Sequence, residues 1–279
     1  MGKYIDLHSH STASDGTLSP RELMNLAEEA NLSAIALTDH DTVDGIKEFM
    51  LEKSSVERVA GIELAAAYKN IELHIVGLFI DYENPMLISQ MDYLVSERND
   101  RNKRMIKALN NLGIDITIND LEKNAKGNII TRAHYANVLA EKGYVKHKDE
   151  AFKKYISYGK PGYVKRETLT PKSAIDTIRK AGGIPVLAHA TLYGFGYLEI
   201  HNAVKELKEY GLMGIEAIYS TYTPKQEVEI RKICKSFGLL ESGGSDFHGD
   251  NKPDIKLGTG RGNLMIPEMF LDEMKKILK

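Results

Sequence analysis

The chain has 279 residues, of which 42% are hydrophobic, so it can bury a large core as one domain or as one domain with an insertion. Lys and Arg (37) nearly balance Asp and Glu (39), which argues against a long nucleic-acid groove or an anionic membrane face but permits a small anionic ligand. The single cysteine, Cys234, cannot form an internal disulfide, and no apolar run approaches the ~18 residues of a membrane span. We therefore expect a cytoplasmic protein without a membrane segment.

The first predicted strand ends in two histidines at alternate positions. Residues two apart on an extended chain point to the same side, so His8 and His10 can reach one metal ion together. The loop of small residues that follows can bring Asp15 back toward them. We interpret these three residues as candidate metal ligands.

Helices and strands then alternate, with a candidate ligand at or near the end of each strand. A capping box at residues 19–22 begins a helix that runs to about residue 31. The next elements are a strand over 34–38 followed by His40, a helix over 43–53, a strand over 57–64 that carries Glu63, a turn at Lys69 and Asn70, and a strand over 71–77 that carries His74. Sites in α/β barrels are built at the carboxyl ends of strands, so this pattern predicts a barrel with a site there.

The pattern changes at residue 84. From there to about residue 157 the sequence is helical and highly charged, with predicted helices near 131–142 and 149–158. We interpret the charged run 97–104 as a solvated helix face. The predicted domains are a barrel formed by residues 1–83 and 158–279 and an inserted helical subdomain, 84–157, that could cover one side of the site.

The alternation of helices and strands returns at Pro171. The remaining predicted elements are a helix over 171–181, a strand over 184–188 followed by His189, a helix to about 210, a strand over 214–218 that carries Glu216, a helix over 224–237, a segment at 239–241 that leads to Asp246 and His248, a short strand near 262–266 and a helix over 267–278. The order of these elements again favours an α/β barrel.

Polar residues of metal-binding type therefore recur at the ends of the predicted strands. They are His8, His10, Asp15, His40, Glu63, His74, His189, Asp246 and His248, and they include six of the nine histidines. Any one of these histidines could equally be a structural residue. Their joint position just after buried strands favours a shared metal site.

The order of the motifs resembles that of a known family. His8-Ser-His10, Thr38-Asp-His-Asp41, Gly61-Ile-Glu63, Ala188-His189 and Gly244-Ser-Asp-Phe-His248 are similar to motifs of the PHP (polymerase and histidinol phosphatase) superfamily. The resemblance spans nearly the whole chain. It is closest to the stand-alone phosphatases that act on nucleoside monophosphates, 3′,5′-bisphosphates or short oligonucleotides. It implies a distorted (β/α)7 barrel, of TIM-like type, with three metal ions.

The resemblance also implies which residues hold each metal ion. The first metal would be held by His8, His10, Glu63 and Asp246, the second by Glu63, His74 and His189, and the third by Asp15, His40 and His248. Imidazole and carboxylate ligands without cysteine suit manganese, iron or zinc. Water bridging the first two metals would be the nucleophile, with Glu63, Asp246 and His189 as catalytic residues.

A further motif lies in the predicted insertion. Arg132-Ala-His134 resembles the Arg-x-His phosphate-binding motif of the same branch, which implies that Arg132 and His134 bind the substrate phosphate. Ala133 stands where that branch usually has proline, and Ala190 follows His189 where proline is common. Both departures shape loops and leave the metal ligands intact, so they bear on the choice of substrate.

We therefore predict a metal-dependent phosphoesterase that hydrolyses a small phosphomonoester, most plausibly AMP or a nucleoside 3′,5′-bisphosphate. A histidinol phosphatase and a 5′-3′ oligoribonuclease are alternative enzymes. A non-catalytic metal-binding PHP module and a hydrolase of other bonds on a similar barrel remain open as less favoured alternatives. Arg132 and His134 weigh mildly against histidinol phosphate as the substrate. The oligomeric state is left open.

Overall fold

The computed structural model describes residues 4–51, 53–125 and 129–278. In this part of the chain, seven strands form one sheet whose spatial order follows the sequence. The strands are β1 (Ile5–Asp6), β2 (Ala34–Leu37), β3 (Glu57–Tyr68), β4 (Ile71–Leu78), β5 (Ile184–Leu187), β6 (Gly214–Tyr219) and β7 (Leu240–Gly244).

The sheet curves into a nearly closed barrel. β1, β2 and β3 pair in parallel, as do β5, β6 and β7, whereas β4 is antiparallel to both of its neighbours. Backbone hydrogen bonds from Leu7 to Gly243 (3.1 Å) and from Asp246 to His8 (2.9 Å) join the first and last strands. The predicted distorted barrel is confirmed, and the antiparallel β4 is its main departure from regular β/α alternation.

Helices surround the barrel and account for most connections between strands. They are α1 (Pro20–Glu29), α2 (Ile46–Leu51), α3 (Pro85–Asn110), α4 (Ile118–Asn124), α5 (Arg132–Glu141), α6 (Lys148–Ala151), α7 (Pro171–Lys180), α8 (Tyr197–Glu209), α9 (Pro224–Phe237) and α10 (Met269–Ile277). A π-helical turn, Phe152–Ile156, continues α6. None of the helices among the described residues is both long enough and apolar enough to cross a membrane.

Alternation along the strands divides the barrel core into two layers. Ala34 and Ala36 belong to an interior cluster, whereas Ile35 and Leu37 belong to the cluster beneath the surrounding helices. The interior cluster includes Phe270 and other residues of α10. A backbone hydrogen bond from Ile5 to Ile266 (3.1 Å) and a bridge between Tyr4 and Pro267 place the segment before α10 beside the start of β1, so α10 lies at the barrel end opposite the carboxyl ends of the parallel strands.

The helices between β4 and α7 have an apolar cluster of their own. Met105 and Leu109 of α3 pack there with Tyr135 and Leu139 of α5, whereas Leu87, Met91 and Leu94 of α3 pack against the barrel. α3 therefore contributes to both cores, with its first half on the barrel and its second half among the helices that follow.

Two predicted elements differ from the structure. β3 extends four residues beyond the predicted end at residue 64, because it forms a hairpin with β4 through a turn at Lys69. The structure describes residues 262–266, but they do not form the predicted strand. Gly258, Gly260 and Gly262 have positive φ and turn the chain, and Pro267, which has no N–H, forms only an isolated bridge with Tyr4.

The other boundaries agree within a few residues. α2 begins three residues later than predicted, and residue 52 near its predicted end lies outside the described residues. The capping box predicted at Ser19 is present, since its side chain accepts from the N–H of Glu22. Cys234 is buried on α9, as its apolar periodicity predicts.

Candidate metal centre and its cleft

The fold gathers all nine predicted ligands at one end of the barrel. His8 and His10 follow β1, His40 follows β2, His189 follows β5, and the segment after β7 supplies Asp246 and His248. Asp15 comes from the loop before α1, whereas Glu63 and His74 lie within β3 and β4. The antiparallel hairpin therefore presents its two ligands from inside its strands, not from their ends.

A first group of ligand atoms surrounds one point. His8 Nε2 and His10 Nε2 are 3.1 Å apart, and each lies 3.2 Å from Glu63 Oε2. Asp246 Oδ1 lies 3.3 Å from His10 Nε2 and 3.6 Å from His8 Nε2. These four buried side chains form one of three groups whose ligand atoms all lie within 4.8 Å of one another.

A second group lies on the other side of the Glu63 carboxylate. His40 Nδ1 is 3.0 Å from Glu63 Oε2, and His74 Nδ1 is 2.8 Å from Glu63 Oε1. The ligand atoms of these three residues also all lie within 4.8 Å of one another. His189 lies outside that set, but its Nε2 is 3.0 Å from Glu63 Oε1. Glu63 therefore contacts five histidines through its two oxygens, one from β4 and the others from the segments that follow β1, β2 and β5.

A third group forms around Asp15. His248 Nε2 is 3.3 Å from Asp15 Oδ1, and His40 Nε2 and His10 Nδ1 are each 3.9 Å from it. The structure thus places His10 and His40 between two groups, where the family resemblance implied one metal for each of them. All nine residues nevertheless lie in one continuous cluster.

The donor set fits divalent cations. His10 Nδ1, His189 Nδ1 and Glu63 Oε2 are buried without a hydrogen-bond partner, although buried polar atoms are normally satisfied. Ligand atoms bound at about 2.1 Å in a tetrahedral site lie about 3.4 Å apart, which is close to the spacing in the first group. Lone pairs of imidazole and carboxylate that converge in this way are suited to a metal ion.

Polar residues behind the ligands fix their orientation. Glu216 on β6 accepts from His8 Nδ1 (2.7 Å) and from the His189 backbone N–H (2.6 Å). Asp246 Oδ2 is held by the Tyr219 hydroxyl (2.6 Å) and by Lys252 Nζ (2.5 Å). Burial, reinforced by the Asp246 carboxylate, raises the pKa of Tyr219 well above its ordinary value, so the phenol stays a donor.

The Arg-x-His motif lies at the start of α5. Arg132 Nη2 donates to Glu72 Oε1 (3.0 Å), and the same carboxylate oxygen lies 3.7 Å from His74 Nε2. His134 is buried, and its Nδ1 accepts the N–H of Thr131, so its Nε2 carries the ring proton. Burial lowers the pKa of His134, which keeps the imidazole neutral.

The prediction that the charged run 97–104 is a solvated helix face is wrong for two of its arginines, Arg98 and Arg101. Arg98 and Arg101 are buried, at 6% and 3% exposed, and Arg98 is bonded to Asp41 next to His40. Arg166 donates to the same Asp41 oxygen at 2.7 Å. Burial would raise the pKa of Asp41, but Arg166 and Arg98 outweigh it and lower the value to about 2.

A signal for these arginines was present in the sequence. Besides Asn102, the buried positions of α3 are Leu87, Met91, Leu94, Arg98, Arg101, Met105 and Leu109, which follow one another at spacings of three or four residues. The two arginines continue the apolar stripe, which distinguishes them from exposed neighbours such as Lys103. Glu216 has a comparable signal, as the one acidic residue in the buried strand β6.

The ligand cluster opens into a cleft of about 380 Å³. Its lining includes Asp15, His40, Glu72, His74, Arg98, Arg101, Thr131, Arg132, Lys148, Phe152, Tyr163, Arg166, His248, Asn251 and Lys252. Barrel residues form one wall, and residues of α3, α5, α6 and the π-helical turn form another. Basic side chains outnumber acidic ones in this lining, which favours an anionic ligand.

Comparison with known proteins identifies the family. Residues 6–181, more than half of the chain, match the PHP domain. The chain belongs to the PHP family. A Haemophilus influenzae protein described as a 5′-3′ exoribonuclease is 36% identical to this PHP chain over 253 residues, which cover 89% of the chain and 91% of that relative.

Two further relatives have related descriptions. A Chromobacterium violaceum protein described as a 3′,5′-nucleoside bisphosphate phosphatase is 32% identical, over 88% of this PHP chain and 87% of that protein. A solved structure from Bifidobacterium adolescentis, classed as a metal-dependent phosphoesterase, has a TM-score of 0.86 and 26% identity, and covers 98% of this chain and 95% of its own. This PHP protein is a metal-dependent hydrolase of phosphate esters.

Proposed function

We propose that this PHP protein is a phosphatase that removes a phosphate group from a small nucleotide, either AMP or a nucleoside 3′,5′-bisphosphate. The observation that carries the proposal is the basic cleft of about 380 Å³ beside the ligand cluster. Small-molecule sites typically measure ~300–1,000 Å³, so a nucleotide is of suitable size. The α5 and α6 side of the cleft limits the room for a long strand.

We also propose that the nine predicted ligands hold three divalent ions, manganese, iron or zinc, in the arrangement that the family resemblance implies. Orphaned Glu63 Oε2, His10 Nδ1 and His189 Nδ1 support the proposal for a metal centre. When bound, such ions activate water for attack on phosphorus and neutralise charge on the phosphoryl oxygens. Hydrolysis then releases inorganic phosphate and the free hydroxyl of the nucleoside.

The side chains of the protein have separate roles in this proposal. The Glu63 carboxylate and Asp246 Oδ1 supply negative charge at the ligand groups, while Tyr219 and Lys252 keep Asp246 in position. Arg132 extends from α5 into the cleft, where its guanidinium can donate to a phosphate oxygen. His134 is buried on the same helix, and its Nε2–H is the donor that would serve the same phosphate.

A 5′-3′ exoribonuclease is the second candidate function. It is favoured by the description of the Haemophilus influenzae relative, which is 36% identical to this chain. An exoribonuclease would use the same metal chemistry on the phosphodiester nearest the 5′ end of an RNA. The two candidates differ in what must extend out of the cleft, because an RNA needs an exit path for the rest of its strand.

Steady-state kinetics on a panel of substrates tests the proposal. Purified protein is stripped with a chelator, reloaded with Mn²⁺ or Zn²⁺, and assayed on AMP, adenosine 3′,5′-bisphosphate, histidinol phosphate and a 5′-phosphorylated hexaribonucleotide. We expect kcat/KM for AMP or the bisphosphate to exceed that for the hexanucleotide at least tenfold. A preference for the hexanucleotide would favour the exoribonuclease. The Glu63→Gln variant serves as the blank for contaminating phosphatases.

A further inference from the structure

The side chain of Tyr193 joins β4 to the segment after β5, beside two candidate ligands. His74 of β4 and Ala188, directly after β5, continue the antiparallel pairing of these strands, in which Ile75 pairs with Leu187. A hydrogen-bonded pair in an antiparallel ladder exchanges two N–H···O=C bonds. One of them runs from the Ala188 N–H to the His74 carbonyl (3.1 Å). The tyrosine hydroxyl takes the place of the other.

This hydroxyl makes two hydrogen bonds to the backbone. It accepts the His74 N–H at 2.8 Å and donates to the Ala188 carbonyl at 3.0 Å. Two consecutive hydrogen bonds hold the amide and the carbonyl further apart than the ~2.9 Å of a direct bond. The hydroxyl of Tyr193 is therefore a spacer between the two chain segments that carry His74 and His189.

The same contact fixes the peptide unit before His189. The Ala188 carbonyl and the His189 N–H belong to one peptide unit. Tyr193 binds its carbonyl, and Glu216 of β6 accepts its N–H at 2.6 Å. The φ of His189 is 29°, an uncommon value for a residue other than glycine, which persists only where surrounding contacts enforce it. Tyr193 and Glu216 together supply such contacts.

A short turn after His189 brings the phenol back to β4. Residues Ala190–Tyr193 form a 3₁₀ turn, with a bond from the Leu192 N–H to the His189 carbonyl (2.9 Å), and Gly194 follows with φ of 74°. The ring of Tyr193 packs against the barrel core, with its centroid 5.5 Å from that of the His189 imidazole. The position of the hydroxyl is therefore coupled to that of His189.

The two ligands that flank the hydroxyl approach the same atom of Glu63. His74 Nδ1 lies 2.8 Å and His189 Nε2 lies 3.0 Å from Glu63 Oε1. A metal site requires each ligand to lie within about 0.2 Å of its preferred distance. The spacing between β4 and the segment after β5 therefore decides whether both imidazoles can reach one ion.

We infer that Tyr193 is a positioning residue of the metal centre, whose hydroxyl sets the separation of His74 and His189 so that both can bind one ion together with Glu63. This inference rests on the proposed arrangement of three ions and specifies what positions the ligands of the second one. Tyr193 acts through the backbone, because its single O–H is donated to the Ala188 carbonyl and so cannot be donated to a substrate.

A metal titration of Tyr193→Phe tests the inference, because this change removes the hydroxyl and keeps the ring. Protein stripped with a chelator is titrated with Zn²⁺ against a competing chromophoric chelator, which gives the number and affinity of the bound ions. We expect Tyr193→Phe to bind one ion at least tenfold more weakly than the unmodified chain does, since residues that orient ligands typically contribute about 10- to 100-fold.

Tyr135→Phe is the matched control. The Tyr135 hydroxyl is also buried and donates to a backbone carbonyl, that of Asn102 (3.1 Å), but it lies in the apolar cluster of the helices between β4 and α7. This variant should bind Zn²⁺ as the unmodified chain does. Thermal unfolding of the chelated proteins should show similar Tm values for the two variants, whereas the rise in Tm with Zn²⁺ should be smaller in Tyr193→Phe alone.

The metal dependence of turnover gives a second readout. On whichever substrate the unmodified enzyme hydrolyses, Tyr193→Phe should need at least tenfold more free Mn²⁺ to reach half of its maximal rate. Most of the kcat should return at saturating Mn²⁺, because mass action compensates for weaker binding. A hydroxyl that served only the stability of the fold would leave the half-saturating concentration of Mn²⁺ unchanged.

The contrary outcomes are distinct from failure of the proposed function. Equal Zn²⁺ affinities in Tyr193→Phe and the unmodified chain would overturn the inference, as would equal losses in Tyr193→Phe and Tyr135→Phe. If the unmodified chain binds no Zn²⁺, the arrangement of ions fails and the inference fails with it. If Zn²⁺ binds but no nucleotide is hydrolysed, the proposed substrate fails while the titration still decides the role of Tyr193.

Hydrogen exchange in the unmodified protein tests the contact without a variant. In the Zn²⁺-loaded protein, followed by NMR, the His74 amide should exchange at least tenfold more slowly than a freely exposed amide, because its N–H is donated to Tyr193. A His74 amide without protection would overturn the bridge, even if Tyr193→Phe failed to fold.

Discussion

Glu216 shows how a residue outside the ligand set can determine the chemistry of the site. It is 1% exposed on β6, and its two oxygens accept from His8 Nδ1 and from the backbone N–H of His189. Because Nδ1 of His8 donates its proton to Glu216, the lone pair of Nε2 faces Glu63 and Asp246. Carboxylates that orient metal-binding histidines in this way increase ligand basicity.

Glu216→Gln should weaken metal binding by about 10- to 100-fold, because a neutral amide orients His8 less strongly and raises its basicity less. Titration with a competing chromophoric chelator measures the affinity directly. Glu241→Gln, on the neighbouring strand and paired with Arg231, is the control and should bind metal normally. Unchanged affinity in Glu216→Gln would show that Glu216 serves only to support the strand.

At the scale of elements, Asp41 joins the barrel to the helices above it. Its Oδ2 accepts from Arg98 of α3 and Arg166, and its Oδ1 accepts the N–H of Ala65 in β3 (3.1 Å). Asp41 has φ of 52°, a conformation that Asp and Asn tolerate better than most residues. One carboxylate therefore fixes the position of α3 relative to His40.

Asp41→Asn should destabilise the protein by about 3–5 kcal/mol, because it leaves two buried arginines without their counter-charge while keeping shape and backbone preference. Chemical denaturation, followed by far-UV circular dichroism, gives the free energy of unfolding. The control is Asp92→Asn on the exposed face of α3, which should change stability by less than about 0.5 kcal/mol. An equally small effect at Asp41 would contradict the joining role.

We propose that residues 84–157 are an inserted helical subdomain and that residues 1–83 and 158–279 are the barrel. The separate apolar cluster of α3, α4 and α5 supports this division. The bonds of Arg98 and Arg132 to Asp41 and Glu72 connect the two parts beside the cleft. In this proposal the insertion supplies substrate contacts, whereas the barrel supplies the metal ligands.

At the scale of the whole molecule, the metal centre connects distant parts of the barrel. The candidate ligands come from β3 and β4, from the segments that follow β1, β2, β5 and β7, and from the loop before α1, so bound ions would cross-link the first and last strands. Groups of ligand atoms that all lie within 4.8 Å of one another exist only in the folded chain. Metal binding should therefore stabilise the folded state relative to the unfolded one.

Saturating metal should raise the free energy of unfolding by about 2.7 kcal/mol when the free ion is at 100 times its Kd, since the unfolded chain lacks the assembled site. Thermal unfolding with a chelator, and then with increasing Mn²⁺ or Zn²⁺, measures the effect as a rise in Tm. Glu63→Gln should reduce the rise, because it replaces the carboxylate shared by two ligand groups. A Tm that does not depend on metal would contradict the assembled centre.

The sequence by itself determined the barrel class and the set of ligand candidates. Both depend on local patterns: alternate spacing directs His8 and His10 to one side, and short apolar strands followed by polar residues mark where a β/α chain places a site. The Arg132 and His134 motif, in contrast, was recognised only through the family resemblance. These local patterns can be read from the sequence without knowing which residues contact each other in the fold.

Only the tertiary structure decided what surrounds the ligands. Arg98 reads as part of a charged run, and its burial depends on Asp41, a partner 57 residues away in sequence. The sequence predicts Glu63 near the end of a strand, but β3 extends beyond Glu63 because it pairs with the antiparallel β4 as far as Tyr68. The apolar periodicity around Arg98 and Glu216 marks them as buried positions, but it does not show which partner compensates the charge, because folding brings that partner from elsewhere in the chain.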